Sequence, residues 1–361
     1  MKLGFFTMPM HPIGKDWRLS LREDREAFVL ADELGYTEGY CGEHATDPEE
    51  NITSSAMFMA TLVDATRQIK LGTGTLNMPN HHPAAVAGNI AMLDHLLNGR
   101  FILGVSPGAL PSDAEVFGNM DMNRPAMFLE AINQVLQIWA SEPPYNIQGE
   151  YWNISTARTH IAQTGMGTVP KPLQRPHPPI VVTAVAPFSQ GVAEAAARGW
   201  DPISANFLLP QWVKTHWHKY VEGCQRVGRE PRADDWRVAK TICVAPDDAT
   251  AREYAMSPQG PYYYYYRSLF TKLKRRGALG VFKTDPKQPD EEVTLEGVMK
   301  QLIIHGSPGR VADQILALRE QIGDFGTLLY AGMDWQDREL ARQSMVLLAE
   351  QVMPKVNAIR S

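Results

Sequence analysis

The sequence predicts an α/β protein, a single (β/α)8 TIM barrel spanning residues 1–361 with insertions after strands four and seven. Three observations carry that expectation. Eight short apolar or β-branched runs alternate with stretches whose apolar residues recur at helical spacing, the mark of repeated strand-then-helix units. The runs are nearly continuous in their hydrophobicity, as strands buried on both faces must be, and this favours a closed parallel barrel over an open sheet. At 361 residues the chain has length for one such barrel with excursions.

Lys2–Phe6 is the first strand, and it breaks at Thr-Met-Pro, which delivers Thr7, Met8 and His11 to the ligand face. Ser20 is placed to cap the next helix, whose apolar face includes Leu21, Phe28, Val29 and Leu34 before Gly35 stops it. Tyr36–Cys41 is strand two. A helix over Ser54–Thr66 carries Met57, Ala60, Thr61 and Val63, and strand three follows at the head of IKLGTGTLNMPNHHP (Ile69–Pro83). Pro83–Leu97 repeats the helical spacing with Val86, Ile90, Leu93 and Leu97. Strand four opens GRFILGVSPGALPSDAEVFG (Gly99–Gly118), and Arg124–Ala140 is an amphipathic helix with Phe128, Ile132, Val135 and Trp139 inward.

From Glu142 to Pro179 the pattern changes to Pro143-Pro144, a hairpin-like YNIQGEYWNIS and a Gly- and Pro-rich path, so 142–179 is the first insertion. Strand five, Ile180–Val185, meets the helix Gly191–Arg198 through a Pro-Phe-Ser-Gln turn. Strand six is Pro202–Ala205, its helix Gln211–Gly228, and strand seven Arg237–Val244. Residues 258–294 form a second irregular region that includes five consecutive tyrosines, Tyr262–Tyr266. No regular element points five neighbours one way, so some line a pocket or interface and the rest meet water. Leu295–His305 and Pro308–Ile322 read as helices, Thr327–Tyr330 as strand eight and Asp337–Val352 as a closing helix.

Composition narrows the function classes. A charged fraction of 21% against 44% hydrophobic excludes a mostly disordered chain, and a net charge of −5 offers nothing to nucleic acid or an anionic membrane. The basic run Lys272, Lys274, Arg275, Arg276 reads as a solvated helix face. Cys41, Cys224 and Cys243 form no CxxC pair, against a disulfide framework or zinc ribbon and in keeping with the cytoplasm. The N-terminus is too short and Pro-broken for a signal peptide, and no run reaches membrane-spanning length. No metal site is expected: His81 and His82 are adjacent, His216 and His218 diverge on a helix, and His160 and His177 stand alone, His160 as a candidate to close over a pocket with its loop. No GxGxxG follows a strand and no P-loop occurs, so no self-contained NAD or ATP site is indicated.

Parallel barrels present ligands at the C-terminal ends of their strands, and three ends here are dense in Gly, Pro, His and Asn. Glu43 and His44 close strand two, Thr75 and Asn77 strand three, and Ser106 strand four. The turn Pro187–Gly191 enters a helix whose first amides point outward, an anion site with Ser189, Gln190 and Gly191 as contacts. His44, with an imidazole near neutral pKa, can take or give a proton. Glu43 can orient it or neutralise a buried charge.

Glu43-His44, LGTGTLNMP with the doublet His82-Pro83, LDHLLNGRFILGVSPG (Leu93–Gly108) and VFG (Val116–Gly118), in that order and spacing, resemble the bacterial luciferase-like family of flavin-dependent monooxygenases. HGSPGRVADQILALREQIGDFGTLLYAGMDW (His305–Trp335) looks like the branch with limonene-type and diketocamphane-type monooxygenases. The resemblance implies FMN, used as FMNH2 from a separate NAD(P)H:flavin reductase, with O2 and a hydrophobic, cyclic terpenoid or ketone substrate. It implies the FMN phosphate at Ser189, Gln190 and Gly191, the ring along Thr75, Asn77 and Ser106, and a non-prolyl cis peptide at Gly74-Thr75. His44 would stand at the reactive flavin edge as proton carrier, with Glu43 second. A homodimer is implied too, for which Met57, Met59, Met92 and Leu96 offer apolar surface. Rival readings are an F420-dependent oxidoreductase on the same barrel and a non-catalytic flavin-binding homologue; a barrel hydrolase or aldolase is disfavoured because no Lys ends a strand. A site that activates oxygen must be kept dry, so 258–294, with Tyr262–Tyr266, Leu269 and Phe270, is expected to be a mobile apolar lid and substrate wall.

Overall fold

The computed structural model describes residues 1–7 and 10–359, and the expectation for Met8 falls outside them. Its strands, in chain order, are β1 (Lys2–Thr7), β2 (Glu38–Cys41), β3 (Lys70–Thr73), β4 (Leu76–Asn77), β5 (Phe101–Ser106), β6 (Asn146–Ile147), β7 (Ile154–Ser155), β8 (Ile180–Ala184), β9 (Asp201–Ser204), β10 (Arg237–Val244), β11 (Ile303–Gly306) and β12 (Thr327–Ala331). Eight of these close a parallel barrel in the order β1, β2, β3, β5, β8, β9, β10, β12, with β12 pairing back onto β1 from Lys2↔Thr327 to Phe6↔Ala331. The predicted single barrel is the observed one.

The helices are α1 (Trp17–Glu33), α2 (Ser55–Ala60), α3 (Pro83–Leu96), α4 (Pro111–Val116), α5 (Arg124–Ala140), α6 (Gln190–Ala197), α7 (Pro210–Arg226), α8 (Asp248–Met256), α9 (Pro261–Arg275), α10 (Leu295–Leu302), α11 (Pro308–Ile322), α12 (Arg338–Leu347) and α13 (Met353–Ala358). Strand alternation divides the core. Tyr40, Ile102, Val181, Ile203, Ala239 and Leu329 fill the barrel interior, while Leu3, Leu71, Leu103, Val238 and Leu328 pack outward under the helices. The N-terminal end of the barrel is plugged by Arg237, whose guanidinium reaches Glu38 (2.6 Å) and Asp201 (3.2 Å). The other end is left for ligand.

Several local expectations need correction. Asp16, not Ser20, caps α1: its carboxylate accepts from the Arg18 amide, a geometry only the residue before the first turn has. The helix after β2 stops at Ala60, short of Thr66. Ile303–His305 leaves the predicted helix as β11 and pairs with the upper half of β10, from Thr241↔Ile303 to Val244↔Gly306. The largest revision is at 258–294. Pro261 starts a fifteen-residue helix, α9, because tyrosines at i, i+3 and i+4 share one face: Tyr262, Tyr265 and Tyr266 are buried. The first excursion is a short β6–β7 hairpin followed by coil, tied down where Glu130 accepts the amides of Glu150, Tyr151 and Trp152. Met59 is fully buried core, whereas Met57, Met92 and Leu96 are exposed. The three cysteines are free and buried, and no helix among the described residues is long and apolar enough to cross a membrane.

Candidate active site

A cavity of about 410 Å³ occupies the C-terminal mouth of the barrel. That lies within the roughly 300–1,000 Å³ typical of small-molecule and cofactor sites. Phe6, Val105, Phe128, Val182, Ile203 and Phe207 give it mainly apolar walls, with the polar groups gathered on two sides. Seven of the residues singled out from sequence line it: Glu43, His44, Thr75, Asn77, Ser106, Ser189 and Gly191. Gln190 does not. Its amide bonds Glu194 (3.4 Å) and accepts from Lys219 (3.1 Å) on the outer surface.

One polar side is a linked set. Thr75 Oγ1 donates to Ser106 Oγ (2.6 Å), which donates to Asn77 Oδ1 (3.1 Å), and the Gly108 amide donates to the same Ser106 oxygen (3.0 Å). The Gly74-Thr75 peptide is cis. Asn77 is held from behind by Glu43, whose Oε1 accepts the Asn77 amide (2.9 Å) and His81 Nε2–H (2.9 Å) while Oε2 accepts the Ser55 amide (2.9 Å) and hydroxyl (2.7 Å). Burial alone would raise the Glu43 carboxyl, but the bonds from His81, Asn77 and Ser55 bring it below the usual carboxylate range. Glu43 is thus a charged hub joining three segments, and its partners do not include His44.

His44 is oriented by a residue the sequence reading did not single out. Its Nδ1–H donates to Asp113 Oδ2 (2.8 Å), and Asp113 also accepts from the Ala45 amide (3.1 Å), the Thr46 amide (3.0 Å) and the Thr46 hydroxyl (2.7 Å). Burial works to raise the Asp113 carboxyl, yet the bonds from His44 and Thr46 leave it lowered. For His44, burial lowers the imidazole, but the Asp113 bond and the charges of Glu50, Asp113 and Asp47 hold it above its ordinary value. Asp113 gave only a weak sequence signal, an acid in the first turn of the short helix α4.

The turn into α6 follows β8, the strand next to β5. Ser189 is its N-cap residue but makes no side-chain cap bond, so the first helical amides are left to an outside acceptor. Arg124, at the head of α5, lies beside Pro107 and Gly108 and is not among the cavity residues. It donates to the Pro107 carbonyl (2.7 Å), while its buried Nε has no partner among the described residues. Gly108, at φ +72°, allows this approach: a Cβ there would stand 2.6 Å from the guanidinium.

Helix α9 is bonded to β10 and to the loop after β9. Tyr265 lines the cavity and bonds Asn206 (3.1 Å), Tyr266 bonds Thr241 (2.8 Å) and Tyr262 donates to the Ile242 carbonyl (3.1 Å). Lys272, expected on a solvated face, is ion-paired with Asp47 (2.5 Å), Glu50 (3.3 Å) and Glu49 (3.5 Å) of the loop after β2. His11 and His160 are not among the cavity residues; His160 bonds the Met166 carbonyl (3.0 Å). His11, Glu23 and Asp334 form the one metal-like cluster among the described residues, and both carboxylates are already paired with Lys15. Lys240, buried within β10, donates to the Leu208 carbonyl (3.0 Å) and does not line the cavity.

The luciferase-like monooxygenase family model matches residues 1–324. The chain is 30% identical to 4-hydroxyprotoasukamycin monooxygenase of Streptomyces nodosus subsp. asukaensis, over 99% of this chain and 92% of that protein. It is 29% identical to limonene 1,2-monooxygenase of Rhodococcus erythropolis, over 98% and 86%. The oxygenating constituent of 3,6-diketocamphane monooxygenase from Pseudomonas putida, a type II Baeyer–Villiger monooxygenase solved with FMN, superposes with a TM-score of 0.89 at 28% identity, over 99% of this chain and 98% of that one.

Proposed function

The chain belongs to the luciferase-like monooxygenase family, and from that premise we propose that it is the oxygenating component of a two-component flavin monooxygenase. It would take reduced FMN from a separate NAD(P)H:flavin reductase and use O2 to place one oxygen atom in a hydrophobic, cyclic terpenoid or ketone substrate. The observation that carries this reading is the cavity itself: apolar walls, a linked hydroxyl and amide edge, an anion-binding side and one proton-carrying histidine.

The residues fit FMN. The uncapped start of α6 suits a phosphate, with Ser189 and Gly191 beside it. Thr75, Asn77 and Ser106 suit the polar edge of a flavin ring. Bound reduced FMN supplies the electrons and the oxygen activation. His44 holds or moves a proton at Nε2 while Asp113 fixes Nδ1, and Glu43 keeps Asn77 in place. Tyr265 and the rest of α9 exclude water from the mouth. Association as a homodimer is part of the reading, resting on Met57, Met92 and Leu96, each more than half exposed on α2 and α3.

The test is turnover with a flavin reductase, NADH and 18O2 over a panel of cyclic ketones and monoterpenes. One labelled oxygen in the product is the expected result. Tight F420 binding with hydride transfer in the absence of O2 would replace this reading by the deazaflavin one, and FAD held far more tightly than FMN would remove the phosphate assignment. Light scattering should give about twice the 40.3 kDa chain mass, and a mass near 40 kDa would overturn the dimer.

A further inference from the structure

Behind His44 lies a carboxylate that the oxygenation reading does not use. Glu50 is buried, and its Oε2 has no hydrogen-bond partner among the described residues. The group that Oε2 faces is His44 Nε2, at 3.6 Å. That separation is an ion pair one small movement short of a hydrogen bond. The His44 Nδ1 proton is committed to Asp113, so Nε2 alone is free to exchange.

We infer that Glu50 is a positioning residue for the His44 proton: the two side chains hold one proton between Nε2 and Oε2 at the cavity wall. A buried carboxylate oxygen without a donor is costly. It gains a donor when His44 carries its second proton, and it becomes a donor itself when it takes that proton from His44. Either placement satisfies both atoms, whereas removing the proton leaves two acceptors facing one another. The pair therefore titrates as a unit.

The charged and titratable groups around this pair come from three elements. Asp47 lies on the same loop, Asp113 on α4, and Lys272 and Tyr265 on α9. Lys272 Nζ stands 3.3 Å from Glu50 Oε1, on the side away from His44. It favours the ionised Glu50 and opposes a second cation at His44, so α9 sets the field on the proton.

The inference rests on the role given to His44 above, but its test needs neither flavin nor substrate. The measurement is an NMR titration of 15N-histidine in the flavin-free full chain. Glu50→Gln keeps the shape and removes the carboxylate, so the His44 pKa should fall by about one unit or more. Lys272→Met removes a cation and should raise it, by roughly a few tenths of a unit at this partly exposed site. A Glu50→Gln protein with an unshifted His44, or variants that both shift it the same way, would overturn the shared proton. If Glu50→Gln does not fold, Lys272→Met decides, and no shift or a downward one counts against the pair. His44→Ala with unchanged turnover would sink the catalytic reading and leave the titration standing.

Discussion

Two histidines, His11 and His44, follow adjacent strands at the same end of the barrel, and each lies between two carboxylates. His11 has both nitrogens engaged, Nδ1 with Asp334 (2.5 Å) and Nε2 with Asp24 (3.2 Å), and it does not line the cavity. Burial lowers its imidazole, but the bonds to Asp24 and Asp334 outweigh this and raise it to about 9. His44 has one nitrogen committed and the other facing a carboxylate beyond bonding distance, beside the cavity. Residue type, strand-end position and carboxylate neighbours are alike in the two. What separates the two is whether a nitrogen is left incompletely satisfied where a ligand can reach it, and on that difference the role proposed for His44 rests.

That contrast breaks if the two histidines respond alike to deletion. His44→Ala is expected to lower turnover with reduced FMN by about 10²–10⁴, the usual loss of acid–base help, with FMN affinity nearly intact by titration. His11→Gln is expected to leave turnover of the folded enzyme within about threefold, yet to destabilise it by about 3 kcal/mol in urea, because Asp24 would stay buried without its cation while Asp334 keeps Lys15. pH sharpens the difference. With the folded-state value raised from 6.5 to about 9, His11 contributes its stability fully below about pH 6.5 and loses it as pH rises through about 9. The wild-type urea midpoint should fall across that window, and the fall should be smaller in His11→Gln.

The sequence was legible wherever neighbours in the chain decide the outcome. Strand-then-helix alternation gave the barrel, and the strand ends gave Glu43, His44, Thr75, Asn77 and Ser106, because a parallel barrel brings those ends together whatever the loops do. Asp113 and Glu50 were not legible. Asp113 meets His44 across 69 positions of chain, and Lys272 meets Glu50 across 222, through loops whose path no local pattern encodes. The misreading of Lys272 has the same origin: on a helix alone it belongs to a basic run, and only the docking of α9 sets it against Asp47, Glu49 and Glu50. The tyrosine tract misled differently. Five identical aromatics obscure helical periodicity, and it is the tertiary burial of Tyr262, Tyr265 and Tyr266 that makes the stretch a helix.

The smallest expected effect lies where the two histidine neighbourhoods are joined. Tyr264 of α9 donates to Glu49 Oε1 (2.7 Å), next to Glu50, and accepts from the Ile13 amide (3.2 Å), two residues beyond His11. Tyr264→Phe keeps the ring, and with it the stacking of Arg267 at 5.1 Å, while deleting both bonds. Ser268 and Lys272 still grip the loop at Glu49 and Asp47, so the loss should be about 1 kcal/mol in urea. If α9 is a cover that opens, part of that loss falls on its closed state, and hydrogen peroxide released per NADH consumed should rise about twofold with FMN affinity unchanged. A stability loss with no change in peroxide would make α9 a fixed wall, and Tyr264 a bond belonging to the His11 side alone. A tenfold rise would mean that the cover hangs on this one hydroxyl, and that Lys272 contributes little to holding it shut.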